Sequence, residues 1–562
     1  MKKRLIILVI QTLVLTNIIV TAFCQNPGTL PVPSEAQYSW HEQERIMFVH
    51  WDPSAWHLGG WLDSPQLHRM NFKENATEQW CKVAKSWGAK QILFVARQTI
   101  GFCWWQTETS ALSMKNIPYK NGNGDIVKEL SESCARHGLN LGIYLYPETP
   151  AFETSGGGKT KDPTKQEEYN RVYRKQLNEL LTKYGDIKEV WFDGSLVIPV
   201  GDIISKHAPN AVVFQSPYAT IRWPGTESGK LSYPVWYTLK KEDLKTGVAT
   251  QYHDDPDGDV WAPPESDTPL YNHFWLWTPE NAKRRKTLNE LMGIYYKSVG
   301  YGGVLVLNST PDSTGYIPQK DVAVYKKFGE DLDKRFLKPI KEMTNQKGKV
   351  HIIKFDKPTV VNHVITMEDY KYGQRIRAYK LEALVDDEWR LLVDGISIGR
   401  KKIDYFKEVN AESLKLTVTK SNAKPLIRSL STYYVESFNG FGSESTMAWA
   451  DVGSWESTPE GNPMTIDLSK QITGASLYYV RFESEGKAKN FTFEKKEIYF
   501  DGNKALDEFL QSKSKNELTV NRTGSTTEGS SSVLKVKLKS KDGAKGRVLI
   551  RPAFTMQVWH AE

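Results

Sequence analysis

Between Arg45 and Pro318 the chain alternates short, nearly continuous apolar runs with longer stretches of helical spacing, and this alternation narrows its possible folds more than any other feature. The runs are Ile46–Trp51, Gln91–Ala96, Leu139–Tyr146, Glu189–Phe192, Ala211–Gln215 and Gly303–Asn308. Runs with so little polar interruption fit parallel strands covered on both faces. Between them lie the helix-like segments Thr77–Trp87, Asp125–His137, Gln166–Tyr184 and Lys283–Lys297, two of which are followed by Gly88 and Gly138, a usual helix stop. Roughly 280 residues of this pattern favour a (β/α)8-like barrel over an open doubly wound sheet. No glycine-rich phosphate loop follows any of the strands, which argues against dinucleotide binding.

The texture changes near Lys338. Val350–Phe355, Val360–Thr366, Ala378–Val385, Trp389–Val393 and Leu414–Val418 are short, alternating and β-branched, the signature of a β-sandwich. A second block of the same kind begins near Glu436 and includes Ala475–Phe482, Glu497–Phe500, Val533–Leu538 and Arg547–Ile550. Inside it, Ser512–Ser532 is rich in Ser, Lys, Asn, Thr and Gly and is expected to be a long mobile loop. A chain of 562 residues is too long for one core. The expected division is a leader at 1–24, a catalytic barrel at 28–340, one sandwich at 345–435 and a second at 436–562.

The leader carries Lys2, Lys3 and Arg4, then an apolar run from Leu5 to Phe23. This is the pattern of a cleaved export signal, with Ala22-Phe23-Cys24 at the cleavage site. A retained anchor is the alternative, but Gln11, Thr12, Thr16 and Asn17 dilute the run. Lipid modification of Cys24 fits less well because Phe23 is bulky. A periplasmic, cell-surface or secreted protein is expected, with no stable membrane insertion after cleavage. The leader also supplies three units of the +8 net charge, and no dense basic run precedes the C-terminal third, so nucleic-acid binding is disfavoured. Cys81, Cys103 and Cys134 would remain, an odd number without metal-ligand spacing.

On a barrel, functional groups gather at the carboxyl ends of the strands. Those ends carry His50-Trp51-Asp52, Arg97-Gln98-Thr99, Tyr144 with Glu148, Asp193, and Gln215 with Tyr218. Arg222–Glu227 and Trp261–Glu265 follow. Asp193 ends the run Val190-Trp191-Phe192 and is followed by Gly194. Asp-Gly also fastens ordinary turns, so these residues alone admit both a nucleophile and a turn. Paired carboxylates amid aromatics suggest glycoside hydrolysis, one attacking the anomeric carbon and the other donating a proton. The 18 Trp suit a sugar site, though tryptophan also fills large cores.

Several of these segments, in order, resemble glycoside hydrolase family 29, the α-L-fucosidases, and within it the branch acting on α-1,3/4-linked fucose. They are Phe48-Val49-His50-Trp51, Trp191-Phe192-Asp193-Gly194, Arg222-Trp223-Pro224-Gly225-Thr226-Glu227, Trp261–Asp267, and Ser298-Val299-Gly300 through Asn308. Glu368-Asp369-Tyr370, Gly373–Ile376 and Ser397–Lys401 resemble that branch's galactose-binding-like sandwich, so the likeness spans roughly Arg45 to Tyr434. It implies a retaining, cofactor-free and metal-free exo-α-L-glycosidase acting on an oligosaccharide or polysaccharide. Asp193 would be the nucleophile and Glu227 the acid/base, the two carboxyls about 5–5.5 Å apart. Glu227 would need a raised pKa, from apolar walls such as Trp223 or from the Asp193 charge. His50, Gln98, Tyr144, Trp191, Glu265 and Trp275 would line the sugar pocket, with Glu265 the alternative acid/base; His50 and Trp191 could equally be core residues, and Trp275 and Trp277 an aromatic platform or a core edge. The chain departs from the family at Arg97–Phe102, where Gln98, Thr99 and Ile100 stand for the usual His-His-Asp, and at Asp52, where the family has Gly. These changes leave open an α-L-galactosidase on the same scaffold, or a catalytically silent carbohydrate-binding protein.

Overall fold

The computed structural model describes residues 30–56, 64–244, 254–272, 274–438, 440, 450–468, 477–484, 491–506, 510–514, 516–521, 531–541 and 543–553. The leader at 1–24 lies outside them. Among the described residues no helix is long and apolar enough to cross a membrane.

Seven parallel strands form the first sheet: β1 (Arg45–Val49), β2 (Gln91–Arg97), β3 (Asn140–Leu145), β4 (Ile187–Trp191), β5 (Val212–Phe214), β6 (Glu265–Pro269) and β7 (Val304–Ser309). They run side by side in the order β6-β7-β1-β2-β3-β4-β5. The gap between β5 and β6 is closed by two residues. Ile221 bridges Phe214 of β5, Arg222 bridges Pro264 just before β6, and both bridges are parallel. Arg222 N–H donates to the Pro263 carbonyl at 3.1 Å, and its own carbonyl accepts from Glu265 N–H at 2.9 Å. The barrel therefore closes with an eighth stave worn down to a dipeptide.

Strand alternation sorts the side chains into two layers. Ile46, Phe48, Leu93, Val95, Trp191, Val304 and Val306 point into the barrel and pack with Tyr144, Phe214 and Ile221. Met47, Val49, Ile92, Phe94, Leu305 and Leu307 point out into the layer under the helices. Those helices include α1 (Glu35–His41), α2 (Ala76–Ser86), α3 (Ile126–His137), α4 (Gln166–Lys183), α5 (Gly201–His207), α6 (Leu288–Lys297) and α7 (Gln319–Phe336). Helix α1 precedes the first strand, and its Trp40 joins the interior cluster. Cys81 on α2 and Cys134 on α3 are buried with their sulfurs 4.0 Å apart.

Three expectations need correction. Strand β6 has no apolar residue except Pro269, so no apolar run announces it, yet all five of its residues are buried. The helix expected from Lys283 begins at Leu288, because Thr287 caps it: its hydroxyl accepts from Glu290 N–H while the Glu290 carboxylate accepts from Thr287 N–H. The stretch read as a mobile loop at Ser512–Ser532 takes in the end of the strand Leu510–Ser514 and the whole strand Glu517–Asn521, with 522–530 outside the described residues.

Beyond the barrel, six antiparallel strands form one sheet: β8 (Lys341–Lys347), β9 (Val350–Glu368), β10 (Ile376–Val385), β11 (Glu388–Gly395), β12 (Lys402–Ser421) and β13 (Leu426–Tyr433). The two long members, β9 and β12, break register at Lys354/Thr359 and Val361/His363. Such breaks bend strands, and they explain why β9 read as two runs, Val350–Phe355 and Val360–Thr366, and why only Leu414–Val418 of β12 was recognisable. The sheet encloses Ile353, Val364, Leu381, Leu416 and Leu430. A second sandwich pairs a five-stranded with a four-stranded sheet around Trp455, Val480, Phe482, Leu518, Leu534 and Val548. The first sandwich is ionically fastened to the barrel through Glu44–Arg400 at 2.7 Å, Glu44–Lys401, and Glu42–Arg428 at 2.9 Å.

Candidate active site

Alternation carries past the strand ends and places the next inward residues at the barrel mouth. Continuing Phe48 of β1 gives His50, continuing Trp191 of β4 gives Asp193, and continuing Val306 of β7 gives Asn308. Asn308 Nδ2 donates to the Trp275 carbonyl at 2.9 Å, so its Oδ1 faces His50 Nδ1 at 2.8 Å. An amide oxygen only accepts, so Nδ1 carries the imidazole proton and Nε2 is left with a lone pair. Burial depresses the His50 pKa to about 3 against the opposing pull of Asn308, and the ring is neutral at ordinary pH.

Asp193 is half-buried beside Tyr144, whose hydroxyl donates to its Oδ2 at 3.0 Å. Burial raises the Asp193 pKa; the Tyr144 bond opposes this and the charge of Glu148 adds to it. Glu227 follows the Ile221–Arg222 stave, which makes it a strand-end residue too. Its Oε2 accepts from the Trp275 indole N–H at 2.9 Å. Burial raises its pKa, Trp275 lowers it, the negative Asp193 raises it and Lys286 lowers it.

The two carboxyls share a wall of rings. Tyr144, which holds Asp193, lies 6.0 Å from His50 between ring centres, and His50 lies 5.0 Å from Trp275, which holds Glu227. Phe48 lies beneath them, with its ring centre 6.0 Å from Tyr144 and 5.9 Å from Trp275. The result is a wall of rings that holds one carboxyl at each end, with the Asp193 charge acting on Glu227 and the His50 imidazole between them.

Other expected residues fall elsewhere. Glu265 is fully buried and does not join this group. Its Oε1 accepts from Trp191 Nε1 at 2.9 Å, and its carboxyl pairs with Glu189. Burial and the Glu189 charge hold Glu265 protonated, while Glu189 accepts from Trp40 at 3.0 Å and Gln91 at 2.5 Å. Trp191 is buried behind the wall of rings, stacked on Phe214 at 4.1 Å and on Tyr144 at 5.0 Å and with its ring centre 5.4 Å from Phe48. The Trp223 indole donates to Asp267 at 2.7 Å, and the Glu227 charge in turn helps to raise the Asp267 carboxyl. Trp277 packs against the outer core. Asp52 is buried and accepts from Ser54 N–H at 2.9 Å, so it fastens a turn.

Gln98 is half-buried at the end of β2, and its Oε1 has no hydrogen-bond partner. The neighbouring Arg97 turns away toward α4, donating to Gln176 at 2.5 Å, Tyr169 at 3.0 Å and the Tyr146 carbonyl. Three residues were missed by sequence reasoning. Asn308 was findable, since it ends a strand. Asp267 lay inside the Trp261–Asp267 resemblance but in a strand that no apolar run announced, and Lys286, beyond that strand, carried no signal. Asp267 is held well above the usual carboxylate range by burial and by Glu227, and burial pulls Lys286 down to about 8.

Known proteins were compared with this geometry. The family model described as α-L-fucosidase matches residues 63–335. The chain is 29% identical to α-L-fucosidase 1 of Arabidopsis thaliana over 469 residues, 74% of this chain and 90% of that protein. The crystal structure of a candidate α-L-fucosidase from Bacteroides thetaiotaomicron superposes with a TM-score of 0.67 at 32% identity, over 72% of this chain and 100% of the other. A glycoside hydrolase 29 family member from a rumen bacterium, 26% identical with a TM-score of 0.65, covers 91% of this chain and 96% of its own. A barrel of this topology, a paired carboxyl site at its mouth and these likenesses lead to one statement: the chain belongs to glycoside hydrolase family 29, the α-L-fucosidases.

Proposed function

We propose that this chain is an exported, retaining exo-α-L-glycosidase that removes terminal α-L-fucose from oligosaccharides or polysaccharides. The observation that carries the reading is the placement of the two carboxyls at either end of the Tyr144–His50–Trp275 wall, Tyr144 donating to Asp193 and Trp275 to Glu227. Asp193 attacks the anomeric carbon and forms a glycosyl ester, while Glu227 gives its proton to the departing oxygen. Ester formation removes the negative charge on Asp193, which is one of the causes holding Glu227 protonated. The Glu227 pKa then falls, and the same group serves as base for the water that releases the sugar. Neutral His50 offers Nε2 as acceptor to a sugar hydroxyl. The basic and then apolar segment Lys2–Phe23 supports export.

The test is the anomer first released from an aryl α-L-fucoside, followed by proton NMR. The α-anomer is expected; initial β-anomer would mean inversion and would remove Asp193 as nucleophile. A second substrate reading rests on Gln98, whose unpartnered Oε1 can accept from an added hydroxyl. Comparing kcat/KM on aryl α-L-fucoside and aryl α-L-galactoside separates the two, and a preference for galactoside would replace fucose as the substrate.

A further inference from the structure

The loop that carries Glu227 leaves the barrel wall at Arg222 and returns to the same residue. Arg222 Nη2 donates to the Trp236 carbonyl at 3.0 Å, closing the loop at its base. On the barrel side, Gly229 N–H donates to the Asp267 carbonyl at 3.1 Å and Leu231 N–H to the Lys297 carbonyl at 2.9 Å. The returning limb of the loop is gripped by the first sandwich. Tyr233 Oη accepts from Ile396 N–H at 2.7 Å and Ser397 N–H at 2.9 Å. Val235 N–H donates to Ser397 Oγ at 3.2 Å, and its carbonyl accepts from Gln374 Nε2 at 3.0 Å. Tyr237 N–H donates to Gln374 Oε1 at 3.1 Å.

Tyr237 is the pin between the two units. Its hydroxyl donates to the Gly302 carbonyl of the barrel at 2.9 Å and accepts from Arg400 N–H of the sandwich at 2.7 Å. A Cβ at Gly302 would meet that oxygen at 2.2 Å, and one at Gly399 would meet it at 2.3 Å, so only glycine leaves it room on either side. The two gripping sandwich segments are joined by Glu368. Its carboxylate accepts from Arg375 N–H at 2.5 Å, Ile376 N–H at 3.1 Å and Gly399 N–H at 3.2 Å.

We propose that the first sandwich is a positioning element for the proton donor, with Gln374 and Ser397 holding the Tyr233–Tyr237 limb that fixes where Glu227 stands. This rests on the assignment of Glu227 as acid/base. Proton transfer demands hydrogen-bond reach to the leaving oxygen, so a loosened loop costs most where protonation is needed most. A sandwich that merely stabilised the barrel would slow all substrates alike.

The experiment measures kcat and KM for Gln374→Ala, Tyr233→Phe and Glu227→Ala on two fucosides, one with an activated aryl leaving group and one with an unactivated sugar. Both brace variants are expected to lose about tenfold or more in kcat on the unactivated substrate and less than about twofold on the activated one, with KM little changed. Equal losses on both substrates, or none, would overturn the proposal, and Tyr233→Phe removes too little to unfold the chain if Gln374→Ala does. Glu227→Ala should show the same bias more strongly. If it does while the brace variants do not, only the bracing falls; if it slows both substrates alike, the acid/base assignment falls and the bracing with it.

Discussion

At the residue scale, Tyr144 donates to Asp193 and Trp275 to Glu227, and the negative Asp193 adds to the burial that raises the Glu227 pKa. Asp193 and His50 were found because apolar runs lead up to them, and Glu227 because its segment resembles a family motif. The expectation of an apolar wall beside Glu227 said nothing of the Trp275 N–H that its carboxyl accepts, because that contact joins distant segments. The pairing fixes the pH behaviour. On the proposed assignment Asp193 is the ionised nucleophile and Glu227 the protonated acid, so kcat/KM rises with pH through the Asp193 pKa, which burial raises. Glu227 must be protonated, so the rate falls as pH passes its own raised value. His50, held near 3, is neutral across this range and contributes neither limb. A pH–rate profile of Glu227→Gln should therefore lose the basic limb, and His50→Gln should weaken kcat/KM while leaving both limbs in place. Trp275→Phe removes the N–H that favours the charged form of Glu227. Its basic limb should move to higher pH; a move to lower pH would contradict the contact.

At the element scale, periodicity exposed six of the seven barrel strands because each is apolar on both faces. It missed β6, where Glu265 and Asp267 each accept one indole N–H, from Trp191 and Trp223, pairings set by tertiary structure alone. It missed the Ile221–Arg222 stave for a simpler reason: two residues carry no period. Helix α7 also escaped notice, although its fit is demanding. A Cβ at Gly329 would meet the Ser86 carbonyl oxygen at 2.1 Å and Trp87 Cα at 2.7 Å. Mid-helix Gly→Ala ordinarily stabilises by about 1 kcal/mol. Here Gly329→Ala should instead destabilise by about 1–3 kcal/mol, measured by denaturant unfolding, and an unchanged or raised midpoint would show that α2 and α7 do not approach so closely.

At the scale of the whole molecule, barrel and first sandwich behave as one body and the second sandwich keeps its own core. The charges of Glu42 and Glu44 bind the first two, and Glu44 is held well below its usual range by Arg400 and Lys401 despite its burial. A depressed carboxylate adds stability above its unfolded pKa that is lost as pH falls through the folded value. Thermal melts should therefore show Glu44→Gln removing part of the acid sensitivity of barrel unfolding. A chain ending after Gly440 should keep the barrel's melting temperature and turnover, since the second sandwich packs around Trp455 and Leu534 in a cluster separate from the barrel's. Sequence gave notice of both sandwiches through β-branched alternation, but not that motifs such as Ser397–Lys401 face the barrel, because the contact joins distant segments. All of this serves one claim, that Asp193 at the end of β4 is the nucleophile. The most direct measurement is turnover of an aryl α-L-fucoside by the wild type and Asp193→Asn, with L-fucose binding followed by calorimetry. Turnover should fall by about a thousandfold or more while fucose still binds. Comparable turnover in the two proteins, or none in either with equal binding, would contradict it.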